Sequence, residues 1–495
     1  MKKVTMRIGK KKVLVDYTVH FGNLALMNES LNWGASNNYR KLNLVYVDVP
    51  EMVGITGACE NVDTLFKVVN RFDIPLFFTQ TGQLSLEQAL QSFHGVYTVI
   101  HSGRDEEIED ERHLRQFRLT EEEFDCTMVG MTRGKYNEEK MFEGLLIHIE
   151  KAIKGMIGGV IKDNLEVMKK VYQRDVSKLK QVLKSNFFRI SYEETIELLN
   201  INGFKKLKFG DDLKANHEQK VVELLNKKGG EIPVFITKYP KEIKFFNMKV
   251  SKKDPRVVLS ADLILPYSGE SVGSAVREHD FNLLNQRLLI SEMYRLHLER
   301  GGKYKDFDWY LKIMKQKKTS PHAGYGIGNE RVLQFIFGES DIRNVSLMSL
   351  LNRQSKDWDV KHYGTAALIS EDKKQILLTI GKLKNKKILL PFIKKLAGKS
   401  NYTLYSTENT SKFLSENNVK TRMVYKISQI GQQPNISNLM DRRVFDIVIN
   451  IPRDSKINGS LTDGKMIRRS AAEAGVSLIT DIEMAKMVMD NLCRN

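Results

Sequence analysis

The chain has 495 residues, 41% hydrophobic and 28% charged, with 10 prolines and a formal net charge of +18. This composition excludes a largely disordered, collagenous or membrane-embedded chain, and ~100–200 residues per domain predicts two to four domains. Three scattered cysteines (Cys59, Cys126, Cys493) exclude a disulfide framework and a zinc finger and point to a reducing cytoplasm; no apolar run nears the ~20 residues of a membrane span, and no apolar stretch after Met1-Lys2-Lys3 makes a secretory signal.

Residues 1–41 read as a short mixed segment, in which Arg7-Ile8-Gly9-Lys10 has the character of a turn before the apolar Val13-Leu14-Val15. The apolar runs Leu44-Val45-Tyr46-Val47 and Leu76-Phe77-Phe78 predict strands. Leu145, Ile149, Ile153, Met156 and Val160 recur at three- and four-residue spacing, which predicts a helix over 140–185. Strands are predicted again at Val234-Phe235-Ile236 and over 257–265, and helices over 280–300 and 329–338. Runs of strands and runs of helices in this order predict an α+β block with an antiparallel sheet over 42–358.

The polar stretch Lys356–Tyr363 is the expected linker. After it, strands predicted at 376–380, 402–405, 423–427 and 445–451 alternate with helices at 385–397, 410–417, 465–474 and 482–492. Such alternation predicts an α/β domain with a parallel sheet over 359–495. Residues 361–495 hold 23 Lys and Arg against 12 Asp and Glu, whereas the preceding 360 hold 55 against 48. The C-terminal part is thus the basic end, suited to an anionic partner such as a phosphorylated metabolite, nucleotide or RNA.

Three polar clusters mark the first block: Gly103-Arg104-Asp105-Glu106 with Arg112-His113-Leu114 and Glu121-Glu122-Glu123; Asp262 with Gly269-Glu270 and Arg277-Glu278; and Gly324-Tyr325-Gly326-Ile327-Gly328-Asn329-Glu330-Arg331. Each alone is a weak signal, since a glycine-alternating stretch suits any tight strand-to-helix turn. Together, arginines and acids on a glycine-rich backbone are what a magnesium nucleoside triphosphate needs.

With these residues assembled, the block resembles the catalytic core of class II aminoacyl-tRNA synthetases, most of all the asparaginyl branch. Arg104-x-Glu106 with Arg112-His113-Leu114 and Phe117 resembles the second class II motif. Gly326-Ile327-Gly328-x-Glu330-Arg331 resembles the third, and Pro50 stands where the first ends. Cys59-Glu60, Thr81-Gly82-Gln83-Leu84, Gly210-Asp211-Asp212-Leu213 with His217-Glu218, and Tyr239-Pro240-Lys241-Glu242-Ile243-Lys244 resemble the asparaginyl branch in particular.

The resemblance implies a six- to seven-stranded antiparallel sheet, a homodimer, and attack of an amino-acid carboxylate on the α-phosphorus of ATP. It implies that Arg104 grips the α-phosphate and the attacking carboxylate, and that Arg331 holds the γ-phosphate with Arg112 and His113. Glu106 and Phe117 would hold adenine, and Asp262 and Glu270 would carry Mg2+. Glu60, Gln83 and Glu121 would surround the substrate ammonium, with Arg277 and Glu278 beside its side chain. An aspartate would press its carboxylate on Glu278, at a cost of roughly 4 kcal/mol at ~4 Å and an effective dielectric of ~20. Leu86 stands where aspartyl relatives place a lysine. Asparagine is therefore the expected substrate, with aspartate the alternative.

The sequence also departs from the family. About 40 residues precede the block, too few for the OB-fold that reads the anticodon. Ser346–Leu351 replaces a Pro-Phe-Pro-Arg stretch, Gln116 replaces a glutamate, Asn329 an aliphatic residue and Asn247 a tyrosine. The expected activity is thus an ATP-dependent ligase that activates asparagine as its adenylate for a non-standard or tRNA acceptor. A rearranged asparaginyl-tRNA synthetase, an asparagine synthetase acting through aspartyl adenylate and a non-catalytic regulatory protein are the alternatives.

Residues 361–495 resemble methylglyoxal-synthase-like domains, closest to the allosteric domain of carbamoyl phosphate synthetases. The resemblance rests on Asn385-Lys386-Lys387, Ser406–Thr410, Val448–Pro452, Thr462-Asp463-Gly464 and Ile467-Arg468-Arg469. It implies that Lys386, Thr407, Thr410, Asn450 and Thr462 line a pocket for a phosphorylated small ligand. Hydroxyls, a lysine and a helix N-terminus at strand ends do make an anion site.

Overall fold

The computed structural model describes residues 3–54, 64–68, 76–106, 110–204, 206–226, 229–299, 302–316, 320–352, 374–399, 402–429, 431–441, 444–452, 462–473 and 476–494. The expected linker and the candidate Glu60 lie outside them. The chain divides into two compact units, Met1–Gly364 and Thr365–Asn495.

In the first unit, β1 (Lys3–Ile8) and β2 (Lys11–Asp16) form a hairpin whose alternation buries Met6, Ile8, Val13 and Val15. Asp16 then caps α1 (Tyr17–Lys41) by accepting from the backbone N–H groups of Thr18 and Val19. Helix α1 lies along α3 (Glu138–Lys170) so closely that a Cβ on Gly34 would stand 2.2 Å from the Gly155 carbonyl oxygen. Residues 1–41 are therefore not a separate segment. Leu24, Met27, Leu31 and Tyr39 share one core with Leu145, Ile149 and Met156 of α3. The long helix expected over 140–185 is interrupted: Gln173 takes a positive φ of 51° and Asp175 caps a new helix, α4 (Val176–Lys184).

Between α1 and α3 run β3 (Val45–Tyr46), β4 (Met52–Val53), β5 (Phe77–Phe78), α2 (Gln83–Ala89), β6 (Gly95–Gly103) and β7 (Gln116–Asp125). After α4 come β8 (Phe188–Ser191), α5 (Tyr192–Ile201), α6 (Ala215–Leu225), β9 (Val234–Thr237), β10 (Ser260–Leu265) and β11 (Gly269–Val276). Then follow α7 (Phe281–Leu289), α8 (Glu292–Glu299), α9 (Asp308–Lys315), β12 (His322–Gly328), α10 (Asn329–Phe337) and α11 (Leu347–Asn352).

Eight strands form one sheet in the order β3-β6-β7-β12-β11-β10-β9-β8. The six central strands pair antiparallel, as expected, and the two edge strands, β3 and β8, add in parallel. One face carries Leu263, Val272, Val276 and Ile327 into the core with α1, α3 and α10. The period-two alternation of the same strands turns Glu121, Glu123, Asp262 and Arg277 to the opposite face.

The second unit alternates β13 (Lys374–Ile380), α12 (Leu383–Ala397), β14 (Tyr402–Thr407), α13 (Glu408–Ser415), β15 (Arg422–Val424), α14 (Ile436–Asp441), β16 (Ile447–Ile451), α15 (Asp463–Glu473), β17 (Ser477–Ile479) and α16 (Ile482–Arg494). Its five strands are all parallel, in the order β15-β14-β13-β16-β17. Strand β13 is apolar on both faces, with Ile376 and Leu378 in one core and Leu377 in the other. The chain leaves β13 toward β14 and returns on its other side as β16, so a switch point lies at the carboxyl ends of β13 and β16, where open α/β sheets bind ligands.

Candidate active site

A cavity of about 530 Å³ lies against the polar face of the large sheet. It gathers Gln83, Arg104, Glu106, Arg112, His113, Phe117, Glu121, Asp262, Glu270, Arg277 and Arg331, so eleven residues named from sequence share one space.

One end is built for polyanions. Arg331, in the first turn of α10, donates to the Arg112 carbonyl at 2.7 Å and to the Ser268 carbonyl. Burial, and then the neighbouring Arg112 guanidinium, press Arg331 down to about 10, so it stays charged at neutral pH. The Arg104 guanidinium stands 5.8 Å over the Phe117 ring. His113 is half-exposed and bonded through Nδ1 to Asp110 at 3.0 Å, and Asp110 also accepts the Arg112 and His113 backbone N–H groups.

Facing these cations are three carboxylates, from Asp262 on β10, Glu270 on β11 and Glu218 on α6. The Glu270 backbone N–H donates to Glu218 at 3.2 Å, and Arg112 approaches Glu218 at 3.6 Å. Burial, and then the Asp262 charge, push the Glu270 carboxyl up to about 7, with Glu218 adding to the rise. Three hard oxygen donors gathered opposite these cations, with burial and the Asp262 charge raising Glu270 and Glu218, fit a divalent cation such as Mg2+. Lys244 already presses its ammonium on Asp262 Oδ2 at 2.6 Å.

The other end is close to charge-neutral. Thr81 Oγ1 and the Gly82 N–H donate to the two oxygens of Glu121 at 2.6 and 2.7 Å, while burial lifts that carboxyl to about 7. Gln83 donates to Glu87 at 2.7 Å, and Tyr310 donates to the same carboxylate at 2.8 Å. Arg277 donates through Nε and Nη2 to Glu123 Oε1 at 3.0 and 2.6 Å. His322, fixed by an Nδ1 bond to the Ser320 carbonyl at 2.9 Å, points Nε2 at Glu87, 3.3 Å away. Burial opposes a charged imidazole here, but Glu87 and Glu123 raise it, so His322 carries a proton more readily than usual. Burial also lifts the Glu123 carboxyl to about 7, against the pull of Arg277, so two carboxyl groups face a guanidinium and an imidazole.

Glu278 departs from expectation. It bonds Lys249 Nζ at 3.2 and 3.3 Å and borders a second cavity rather than the one shared by Arg277. Successive residues of an extended chain point to opposite sides, so Arg277 and Glu278 do not face one pocket. Glu123 occupies the place beside Arg277. Gly324 makes room for it, since a Cβ there would stand 2.0 Å from the Glu123 carboxyl carbon.

Glu123, Glu87, His322, Glu218, Thr81 and Lys244 were given no site role from sequence. The stretches holding Thr81, Glu218 and Lys244 carried the resemblance, and that was their one legible signal. Asn329 is accounted for: it accepts from Thr120 at 2.8 Å and donates to Asn32 of α1 at 3.3 Å, bonds that an aliphatic residue lacks. Asn247 is fully buried, and neither atom of its amide has a hydrogen-bond partner among the described residues; nothing in the structure explains the substitution.

In the second unit, Lys386 Nζ donates to the Asn409 carbonyl at 2.5 Å, in the first turn of α13 beside Thr407 and Thr410. Thr410 Oγ1 accepts from the Ile380 N–H at 3.3 Å. Asn450 donates to Thr379 and accepts from Arg468 at 2.8 Å. These four expected residues gather at the carboxyl ends of β13, β14 and β16, joined by Thr379 and Arg468. Thr462 is exposed at the start of α15.

An antiparallel sheet with arginines from β7's approach and from the first turn of α10, opposite acids on β10 and β11, defines the class II synthetase fold. Residues 24–351 match the tRNA synthetases class II (D, K and N), and the chain belongs to that family. Residues 388–480 match the MGS-like domain, so the second unit is a methylglyoxal-synthase-like domain. The asparagine–tRNA ligase of Pyrococcus furiosus is 33% identical over 297 residues, 59% of this chain and 60% of that one. That of Clostridium botulinum is 32% identical over 330 residues, 62% of this chain and 65% of that one. The chain thus spans less than two thirds of the length of these relatives. The asparaginyl-tRNA synthetase of Pyrococcus horikoshii, complexed with asparaginyl-adenylate, superposes with a TM-score of 0.56 at 30% identity, covering 66% of this chain and 68% of that one.

Proposed function

We propose that this chain is an ATP-dependent ligase that activates asparagine as its adenylate, with release of pyrophosphate, and passes it to an acceptor. One observation carries the reading: a single cavity joins an end lined by Arg104, Arg112, His113 and Arg331 to one lined by Gln83, Glu121, Glu123 and Arg277.

In this reading a substrate carboxylate oxygen attacks the α-phosphorus, the bond to the β-phosphate bridging oxygen breaks, and the electron pair leaves with pyrophosphate. No side chain acts as nucleophile, so catalysis is positioning and charge neutralisation. Arg104 draws the carboxylate and α-phosphate together. Arg331 holds the γ-phosphate end with Arg112 and His113, and Glu106 and Phe117 hold adenine. Asp262, Glu270 and Glu218 would hold Mg2+, which when bound neutralises phosphate charge. Gln83 and Glu121 meet the substrate ammonium, a task expected of Glu60 as well.

The side chain is read by Arg277 and Glu123 in place of Glu278. With Glu87 and Glu123 ionised and His322 protonated, the charges of these groups and Arg277 sum to zero, which suits a neutral amide. An aspartate brings an uncompensated carboxylate toward Glu123.

The acceptor named by the relatives is tRNA, and the excess of Lys and Arg in the second unit supports an anionic acceptor. Its pocket of Lys386, Thr407, Thr410 and Asn450 is assigned to a phosphorylated small ligand, which Thr407→Ala should weaken. A homodimer is supported by an apolar line on α1, where Val19, Leu26 and Trp33 are 48%, 55% and 55% exposed. No described helix is long and apolar enough to cross a membrane, and a cytoplasmic setting is part of the proposal.

Calorimetry with non-hydrolysable sulfamoyl analogues of the two adenylates tests the reading. The asparaginyl analogue should bind at least a hundredfold tighter than the aspartyl one. Equal affinities would remove the assignment of asparagine.

A further inference from the structure

Lys244 has no part in the mechanism above, yet it touches the residues assigned to the metal. Its ammonium lies 2.6 Å from Asp262 Oδ2 and 4.0 Å from the centroid of the Tyr239 ring. Both partners of the ion pair are sheltered, with side chains 14% and 6% exposed.

The wider charge balance gives this contact a meaning. Three carboxylates, Asp262, Glu270 and Glu218, are offset by Lys244, Arg112 and Arg331. The two arginines face the space where a triphosphate is to be held, and that ligand draws on their charge. Lys244 is seated on a carboxylate of the candidate metal site at 2.6 Å, closer than Arg112 stands to Glu218 at 3.6 Å. A dication bound to Asp262 would meet the ammonium at short range, and the two repel in a sheltered site. They cannot both hold their places.

The surrounding backbone is pinned. The Lys241 N–H donates to the Arg256 carbonyl at 3.0 Å, and Arg287 donates to the Phe245 carbonyl at 3.1 Å and to the Met248 carbonyl. Movement therefore falls to the Lys244 side chain. It stands in the wall between the main cavity and a second of about 1010 Å³, and lines both, so a displaced ammonium has room on either side.

We propose that Lys244 is a resident counter-cation of the metal carboxylates, which a divalent ion must displace from Asp262. Lys244 is thus a positioning residue: it holds the Asp262 carboxylate in place until the ion arrives. This rests on the assignment of Asp262 and Glu270 to the metal.

The test is Mn2+ binding to the nucleotide-free protein, read by electron paramagnetic resonance. Lys244→Met removes the competitor and should tighten Mn2+ binding about tenfold, whereas Lys244→Arg should leave it near wild type. Equal or weaker binding by Lys244→Met overturns the role of Lys244 while leaving the metal site standing. No binding by either protein overturns the metal assignment and the proposal with it. A second readout needs no substitution: Mn2+ should raise the acylation rate of Lys244 in the wild-type chain, followed by mass spectrometry, because the ammonium leaves Asp262. An unchanged rate in a protein that binds Mn2+ contradicts displacement.

Discussion

Arg277 and Glu123 lie 154 residues apart in the chain and meet through two hydrogen bonds to one carboxylate oxygen, both side chains almost fully buried. The pair sets the charge at the side-chain end of the cavity.

Replacing Glu123 with Gln removes the repulsion that excludes aspartate. At ~6 Å and an effective dielectric of ~20 that repulsion is worth roughly 3 kcal/mol, about a hundredfold. The ratio of kcat/KM for asparagine over aspartate in adenylate formation should fall by about that factor. An unchanged ratio would show that another group makes the choice.

Gly324→Ala places a Cβ against the Glu123 carboxylate in a packed interior. Overpacking of this kind costs ~1–3 kcal/mol. The expected outcome is a lower melting temperature together with a raised KM for asparagine and little change in KM for ATP. An unaltered KM for asparagine would detach Glu123 from substrate binding.

The apo protein should lose stability as pH rises from about 5 to about 8. Burial raises the Glu330 carboxyl from its ordinary 4.5 to about 7. A raised carboxyl binds its proton more tightly in the folded state, so stability falls as pH climbs through that window and the loss is complete above it. For Glu330 this amounts to at most ~3 kcal/mol. Glu330→Gln should flatten this part of the profile, raising stability at pH 8 relative to pH 5 in chemical denaturation. A steeper profile in the variant would contradict the sign.

The apolar line on α1 predicts the assembly state. Val19, Leu26 and Trp33 are seven residues apart, close to two helical turns, and so stand on one side of the helix. Trp33→Glu combined with Leu26→Glu should convert a dimer into monomers in sedimentation velocity. A wild-type chain that sediments as a monomer at micromolar concentration refutes the dimer.

The parts legible in the sequence were those with local signatures. Glycines before Glu330-Arg331, arginines spaced around 104–112 and alternating elements after residue 374 announced the two folds. The acids at 121–123 show where local reading stops. In strand β7 they split by alternation: Glu121 and Glu123 face the cavity. Glu122 turns into the core, where it accepts from Tyr325 and bonds His148 at 2.6 Å. Nothing local in three consecutive acids tells which of them is buried in the core, because the partners that justify their burial lie 26 to 203 residues away in sequence. Glu278 was misplaced for the converse reason. It adjoins Arg277 in sequence, and neighbours on an extended chain look opposite ways. Helix α1 was missed because polar Asn and Ser residues interrupt its apolar face, and its stability comes from packing on α3.

The central claim is that the cations at one end of the cavity and the neutral pocket at the other serve a single adenylate-forming reaction. Amino-acid-dependent exchange of labelled pyrophosphate into ATP measures that reaction without any acceptor. Exchange should occur with asparagine, far exceed that with aspartate, and vanish in Arg104→Ala and Arg331→Ala. Exchange with neither amino acid, or with aspartate alone, would contradict it.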